Sequence, residues 1–286
     1  DSITVASIDA ETGRTVLFGL PRKLQNFTFA EGSVMAMQFP HGYNCDGCEL
    51  NSLFTWALDH KKLFKGEKYP GVAATEQAVE GVTGLKINYF AMVNLSGFRH
   101  LVDAVGGVKL HVRDRIPKGA LGDFDGKSYI EPGYRTLNGA DTLWFARSRM
   151  AADDYSRMAR QKCVMSAMLQ QLSPKVVVLK IGDIAKASKA MVQTDLPQDD
   201  LDTFIDLALK ARSEPIKTVS FVPPLIETYR PNIDKIQALV QKAIERSTEG
   251  KKKPAHKPAG NTTGGSYGDI HNGYTANSTE DLDSAC

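Results

Sequence analysis

The sequence predicts an α/β (α+β) domain, a central mixed β-sheet flanked by helices, on three observations. Short alternating runs and longer runs of helical period follow one another in mixed order, which places helices over a sheet. The 286 residues are 42% hydrophobic and 24% charged, enough to bury a sizeable core as one large domain or two small ones. After residue 247 the composition shifts to Lys, Pro, Gly, Asn, Thr and Ser. Residues 1–247 are therefore the expected domain, and 248–286 a polar C-terminal tail.

Taken in order, Ile3–Asp9 alternates, Glu11-Thr-Gly13 turns and Thr15–Leu20 alternates again, the pattern of a β-hairpin. Pro21-Arg22 follows at once, placing Arg22 at a strand end, where loops carry function. Residues 23–46 read as loop. Helices are expected over Glu49–Leu63 and Val72–Val82, then a strand over Lys86–Val93. A short helix capped by Ser96 should end at Gly106-Gly107, before a strand over Val108–Val112. Arg113–Gly133, rich in Gly, Pro and charge, reads as a long exposed loop. Beyond it, helices are expected over Asn138–Ala146, Asp154–Leu172, Pro174–Leu179, Ile184–Met191 and Gln198–Ala211. A strand over Lys217–Val222 and an amphipathic helix over Asn232–Arg246 complete the domain.

Several function classes lose support. A net charge of only +2 argues against a protein that lives on nucleic-acid backbones. The longest aliphatic stretch, Val176–Leu179, is a fraction of a bilayer span. The chain opens on Asp1 inside strand-like sequence, which is compatible with an upstream signal or membrane anchor. There is no P-loop, H-E-x-x-H or G-x-G-x-x-G. The histidines at 41, 60, 100, 111, 256 and 271 lack metal-ligand spacing and read as surface or loop residues.

Cysteines stand at 45, 48, 163 and 286, an even count that suggests an oxidising compartment and two disulfides. The simplest pairing is Cys45–Cys48 with Cys163–Cys286, the second pinning the tail. A loop that long would contribute roughly 4–5 kcal/mol in the chain-entropy model. A redox C-x-x-C and a zinc site are the competing readings, and no second C-x-x-C or histidine pair lies near Cys45-Asp-Gly-Cys48.

What remains is arginine and carboxylate. Arg147 to Arg160 carries four arginines in fourteen residues, spaced R-x-R and then R-x-x-R-Q, with Asp153 and Asp154 between the pairs. On a helix starting near Asp154, Arg157, Arg160 and Gln161 share one face of the first turns, above Val164 and Met168. Guanidinium forks beside a helix N-terminus suit a phosphate or pyrophosphate. The alternative is a solvated helix start whose arginines pair with the two aspartates. Arg22, Arg147, Arg149, Arg157 and Arg160 are the candidates to converge on one diphosphate, which would bring a divalent cation, Mg²⁺ first, with Asp1 as the best-placed carboxylate.

The order Leu20-Pro21-Arg22, Leu50-Asn51, Leu101-Val-Asp-Ala-Val-Gly-Gly-Val108, Leu137-Asn-Gly139, Ala146-Arg-Ser-Arg149, Asp154…Arg157, Arg160-Gln161 and Gln193-Thr-Asp-Leu196 resembles the LytR-CpsA-Psr family. The cysteines before Leu50 and the Arg160-Gln-Lys-Cys163 run resemble its actinobacterial branch. The resemblance implies an enzyme on the extracellular face of the cytoplasmic membrane, held by a single N-terminal helix. Such enzymes move a glycan from a polyprenyl-pyrophosphate-linked precursor to a cell-wall hydroxyl, on peptidoglycan or a surface protein. Arg22, Arg147, Arg149, Arg157, Arg160 and Gln161 would hold the pyrophosphate, with Arg22 and Arg160 central to catalysis. Asp1 and an upstream aspartate would hold Mg²⁺ (or Mn²⁺), or Asp1 would help deprotonate the acceptor. The fold implied has an apolar tunnel for the prenyl chain. Hydrolysis of the polyprenyl pyrophosphate at the same site, or non-catalytic binding of the lipid-linked glycan, are the alternatives. Lys23 stands where the family often has an acid after Pro-Arg.

Overall fold

The computed structural model describes residues 2–119, 127–148, 154–171, 173, 191–248 and 282. Its elements run β1 (Ile3–Ile8), β2 (Thr15–Leu20), α1 (Val34–Gln38), α2 (Ser52–Asp59), α3 (Pro70–Thr83), β3 (Ala91–Val93), α4 (Leu95–Ala104), β4 (Val108–Val112), β5 (Ile116–Pro117), β6 (Tyr129–Ile130) and β7 (Gly133–Leu137). They continue with α5 (Gly139–Arg147), α6 (Asp154–Gln171), β8 (Val192–Thr194), α7 (Leu201–Ser213), β9 (Lys217–Ser220) and α8 (Ile233–Thr248). Single 3₁₀ turns lie at Lys61–Leu63 and Gln198–Asp200.

The described strands fall into four small sheets rather than the one central mixed sheet expected. β1, β2 and β9 hydrogen-bond in that order, and β3–β8, β4–β7 and β5–β6 form antiparallel pairs. Strand length explains part of this. The strand expected over Lys86–Val93 is confined to Ala91–Val93, because side chains take the backbone donors that a ladder would use. Ile87 N donates to Glu80 Oε1 at 2.8 Å and Phe90 N to Asp195 Oδ1 at 2.8 Å.

Two compact units divide the expected 1–247 domain. The first takes Phe18–Asn88 with Ser2–Ala6 and Ser220–Thr248; the second takes the described residues of Tyr89–Val219 with Ser7–Leu17 and Leu282. In the first, Phe18 and Phe221 stack with ring centroids 6.1 Å apart, and both are fully buried. α3 starts with proline in its first turn and ends at Gly84, whose φ of 71° only glycine adopts without cost. The segment expected to be loop contains α1, too short to show a period but capped by Ser33 Oγ, which accepts from Ala36 N at 3.1 Å.

The second unit is built on the β4–β7 hairpin and the helices packed on it. Residues pair from Val108↔Leu137 to Val112↔Gly133, so the expected 113–133 loop is closed by strands and carries β5 and β6 inside it. Its core gathers Val102, Val108, Leu110, Val112, Phe145, Cys163, Val164 and Ala167, among others. Asn94, not Ser96, caps α4, its Oδ1 accepting from Gly97 N at 2.8 Å, and Asn138 caps α5 in the same way through Asp141 N. The helices expected over 174–179 and 184–191 lie outside the described residues apart from Met191, whose carbonyl accepts from Asn94 N at 2.9 Å.

α6 is buried on two sides. Cys163, Val164 and Ala167 face the main core, with Met168 packed against it, while Met165 meets a second cluster of Leu17, Ile216 and Leu282. Val164 and Met168 thus face the main core as expected, while Leu169 stays 38% exposed. Leu282, from the expected tail, is 1% exposed and its N–H donates to Ile216 O at 2.9 Å. Leu282→Ala should therefore cost about 2–3 kcal/mol, read as a lower melting temperature by calorimetry. An unchanged melting temperature would show that this peg contributes nothing. Among the described residues no helix is long and apolar enough to cross a membrane.

Candidate anion site

The site is built where α5 ends and α6 begins. The last carbonyls of a helix have no partner within it, and those of α5 find theirs on α6. Arg160 donates from its guanidinium to Ser148 O, the C-cap carbonyl, and Gln161 Nε2 donates to Ala146 O at 3.1 Å. The R-x-x-R-Q spacing aligns these two donors with Arg157 on one face of α6, against the negative end of the α5 dipole.

Burial makes these charges unusual. Arg157 and Arg160 are 3% and 2% exposed, and a guanidinium keeps its proton even there. Arg157 pairs with Asp154 one turn earlier at 3.2 Å. Lys162 is buried as well, and burial pulls its ammonium down to about 8. Arg147, by contrast, is exposed, with its guanidinium 5.8 Å from the Trp144 ring centroid.

Arg160 also lines a small cleft with His111, Arg113, Asp114, Ile116, Phe145 and Cys163. Burial pushes the Asp114 carboxyl up, while Arg113 and Arg160 pull it back. Burial likewise lowers Arg113, and Asp114 opposes that shift. His111 sits opposite Tyr134 in the β4–β7 register, their rings 4.7 Å apart. Sequence reasoning read His111 as a surface or loop residue and passed over Arg113 and Asp114 as site residues. Their signal was a charged run directly at the end of a strand, where functional loops begin.

Arg160 and Gln161 bind the carbonyls on either side of Arg147 at the end of α5, while Arg147 itself lies over Trp144 and Arg157 pairs with Asp154. Arg22 belongs to the first unit, half-buried at the end of β2; its carbonyl accepts from Asn51 N at 3.0 Å, which ties the turn to the start of α2. Lys23 pairs with Glu49 at 3.8 Å. Asp1, Arg149 and Cys286 lie outside the described residues. Cys45 and Cys48 are bonded to each other, with Cα atoms 5.1 Å apart, so neither sulfur is a free metal ligand. Cys163 is disulfide-bonded too. Among the described residues no group of three or more His, Cys, Asp or Glu is placed to hold a metal ion, and Asp154 is committed to Arg157. Those residues do not fit a metal site by themselves.

The chain is 31% identical over 135 residues to the polyisoprenyl-teichoic acid–peptidoglycan teichoic acid transferase TagU of Bacillus cereus, a match covering 46% of this chain and 42% of that protein. It is 25% identical over 182 residues to the corresponding transferase TagT of Bacillus subtilis, covering 62% and 56%. The chain thus spans about half the length of these curated relatives. Among solved structures, B. subtilis TagV superposes with a TM-score of 0.59 at 21% identity, over 88% of this chain and 90% of that one. A structure of TagT bound to LIIa-WTA gives 0.59 at 17% identity, over 86% and 84%. At such identities the likeness shows the fold, mixed α/β with sheets flanked by helices. Residues 1–253 match the LytR_cpsA_psr family, and the chain belongs to it.

Proposed function

We propose that the protein transfers a glycan from a polyprenyl-pyrophosphate-linked precursor to a cell-wall hydroxyl, on peptidoglycan or a surface protein. The product is a phosphodiester and the leaving group polyprenyl phosphate. The observation that carries this reading is the buried pair Arg157 and Arg160, beside Gln161 and the exposed Arg147, on the positions that match the family's arginine motifs. The teichoic acid transferases among the relatives support the same class of reaction.

In this reading the acceptor oxygen attacks the glycan-side phosphorus in line, and the bond to polyprenyl phosphate breaks. Charge grows on the phosphoryl and leaving-group oxygens, and fixed guanidinium donors stabilise it. The bond from Arg160 to Ser148 O orients the fork before any ligand arrives, so less side-chain freedom is lost on binding. Arg22 and Arg149 join the pyrophosphate set by their match to the family motifs. By the same resemblance Asp1 is a ligand for Mg²⁺ (or Mn²⁺), the prenyl chain takes an apolar tunnel, and a membrane anchor holds the enzyme outside the cell in the actinobacterial branch.

The test incubates the chain with geranylgeranyl-pyrophosphoryl-N-acetylglucosamine, a soluble peptidoglycan disaccharide and Mg²⁺. A phosphodiester-linked product and prenyl monophosphate are expected, and Arg22→Ala should lower their formation at least about 100-fold. Prenyl monophosphate without a phosphodiester would make the protein a pyrophosphate hydrolase. Donor binding with no turnover would make it a binder of lipid-linked glycans.

A further inference from the structure

We propose that Asp114, with His111 beside it, forms the acceptor side of this site and takes the proton of the attacking sugar hydroxyl. The inference rests on the glycan-transfer reading above. Asp114 and Arg160 line one small cleft, and the Arg160 charge acts on the Asp114 carboxyl, so in this proposal the arginine presents the phosphoryl group on the side where the carboxylate lies. The backbone carrying Asp114 is pinned on both sides: Val112 is fully buried and pairs with Gly133, and Ile116 pairs with Ile130. A proton acceptor needs that fixed placement. Desolvation also makes Asp114 a stronger base than an open aspartate, while Arg113 and Arg160 oppose that shift.

The cleft's rim names the acceptor class. Tyr134 is 89% exposed, yet its ring lies 4.7 Å from that of His111, which lines the cleft. An exposed aromatic face beside a polar cleft suits the C–H face of a pyranose ring, with one hydroxyl directed inward. The step balances. The acceptor oxygen bonds to the glycan-side phosphorus, and the phosphorus–oxygen bond to polyprenyl phosphate breaks with its electron pair on the leaving group. The hydroxyl proton passes to the Asp114 carboxylate and then to solvent.

The groups facing Asp114 are His111 and Arg113 from β4 and its end, and Arg160 from α6. The experiment compares wild type, Asp114→Asn, Asp114→Glu and His111→Gln with the donor and disaccharide named above. Asp114→Asn should lower kcat about 100-fold and leave donor affinity, measured without acceptor, within about twofold. Wild type should lose rate as pH falls through the Asp114 titration, and this acid limb should vanish in Asp114→Asn but persist in His111→Gln. Asp114→Glu should recover about a tenth of the rate. Asp114→Asn at the wild-type rate would overturn the proposal. So would parallel loss of donor affinity and rate, which would make Asp114 only a counter-charge for Arg160. An acid limb removed by His111→Gln alone would move the role to the histidine. A wild-type chain that forms no phosphodiester fails the transfer reading itself, and this inference with it.

Discussion

Arg160→Ala should lower glycan transfer by about 10³-fold or more, the largest catalytic loss expected of any single substitution in the described site. Two contributions add. On the proposed function, the variant loses a charged donor to the transferring phosphoryl group, which accounts for the rate. It also removes the donor to Ser148 O, leaving a carbonyl at the end of α5 without it. That costs about 1–3 kcal/mol of stability, seen as a lower melting temperature. The two effects separate by measurement. If the rate falls only in proportion to the fraction unfolded, Arg160 is a structural clamp between α5 and α6. Arg160→Lys sharpens the comparison, because lysine keeps the charge but loses the planar fork. It should fall between wild type and alanine in rate. A lysine variant at the wild-type rate would mean that charge alone, not bidentate geometry, is required.

The second large effect concerns stability. Lys162 has a pKa of about 8 in the folded protein against an ordinary value of 10.5, with burial as the cause. Between those values the unfolded chain binds more protons than the native one, so stability must rise with pH across that window. Below about pH 8 both states are charged, and the native state bears the full cost of a buried ammonium. A shift of this size corresponds to about 3 kcal/mol. Denaturant titrations from pH 7.5 to 10.5 should show this rise in wild type, and Lys162→Met should flatten it. A wild-type stability that stays level or falls across the window would show that Lys162 keeps an ordinary pKa in the native state.

Much of the fold was legible because its signals are local. The β1–β2 hairpin, α3, α5, α6 and α8 each follow a period or a cap within a few residues, and the structure places them close to the expected bounds. The shared helix face of Arg157, Arg160 and Gln161 was legible for the same reason, since R-x-x-R-Q on a helix defines a face before any packing is known. The misses have physical causes. α1 has only five residues and cannot show a period. Over Lys86–Phe90, Glu80 and Asp195 claimed backbone donors that β-propensity alone assigns to a ladder. β5 and β6 are two residues each and form only because β4 and β7 bring them together.

The sequence by itself determined the mixed α/β class, the helix face that gathers Arg157, Arg160 and Gln161, and the family motifs around them. Only the tertiary structure decided that Arg160 would cap α5, that its cleft would also hold His111 and Asp114, and that Leu282 would be buried beside α6. Helical spacing is set by neighbours within a turn, so it can be read along the chain. The partner of a buried charge is set by which element packs against it, and that depends on the fold as a whole.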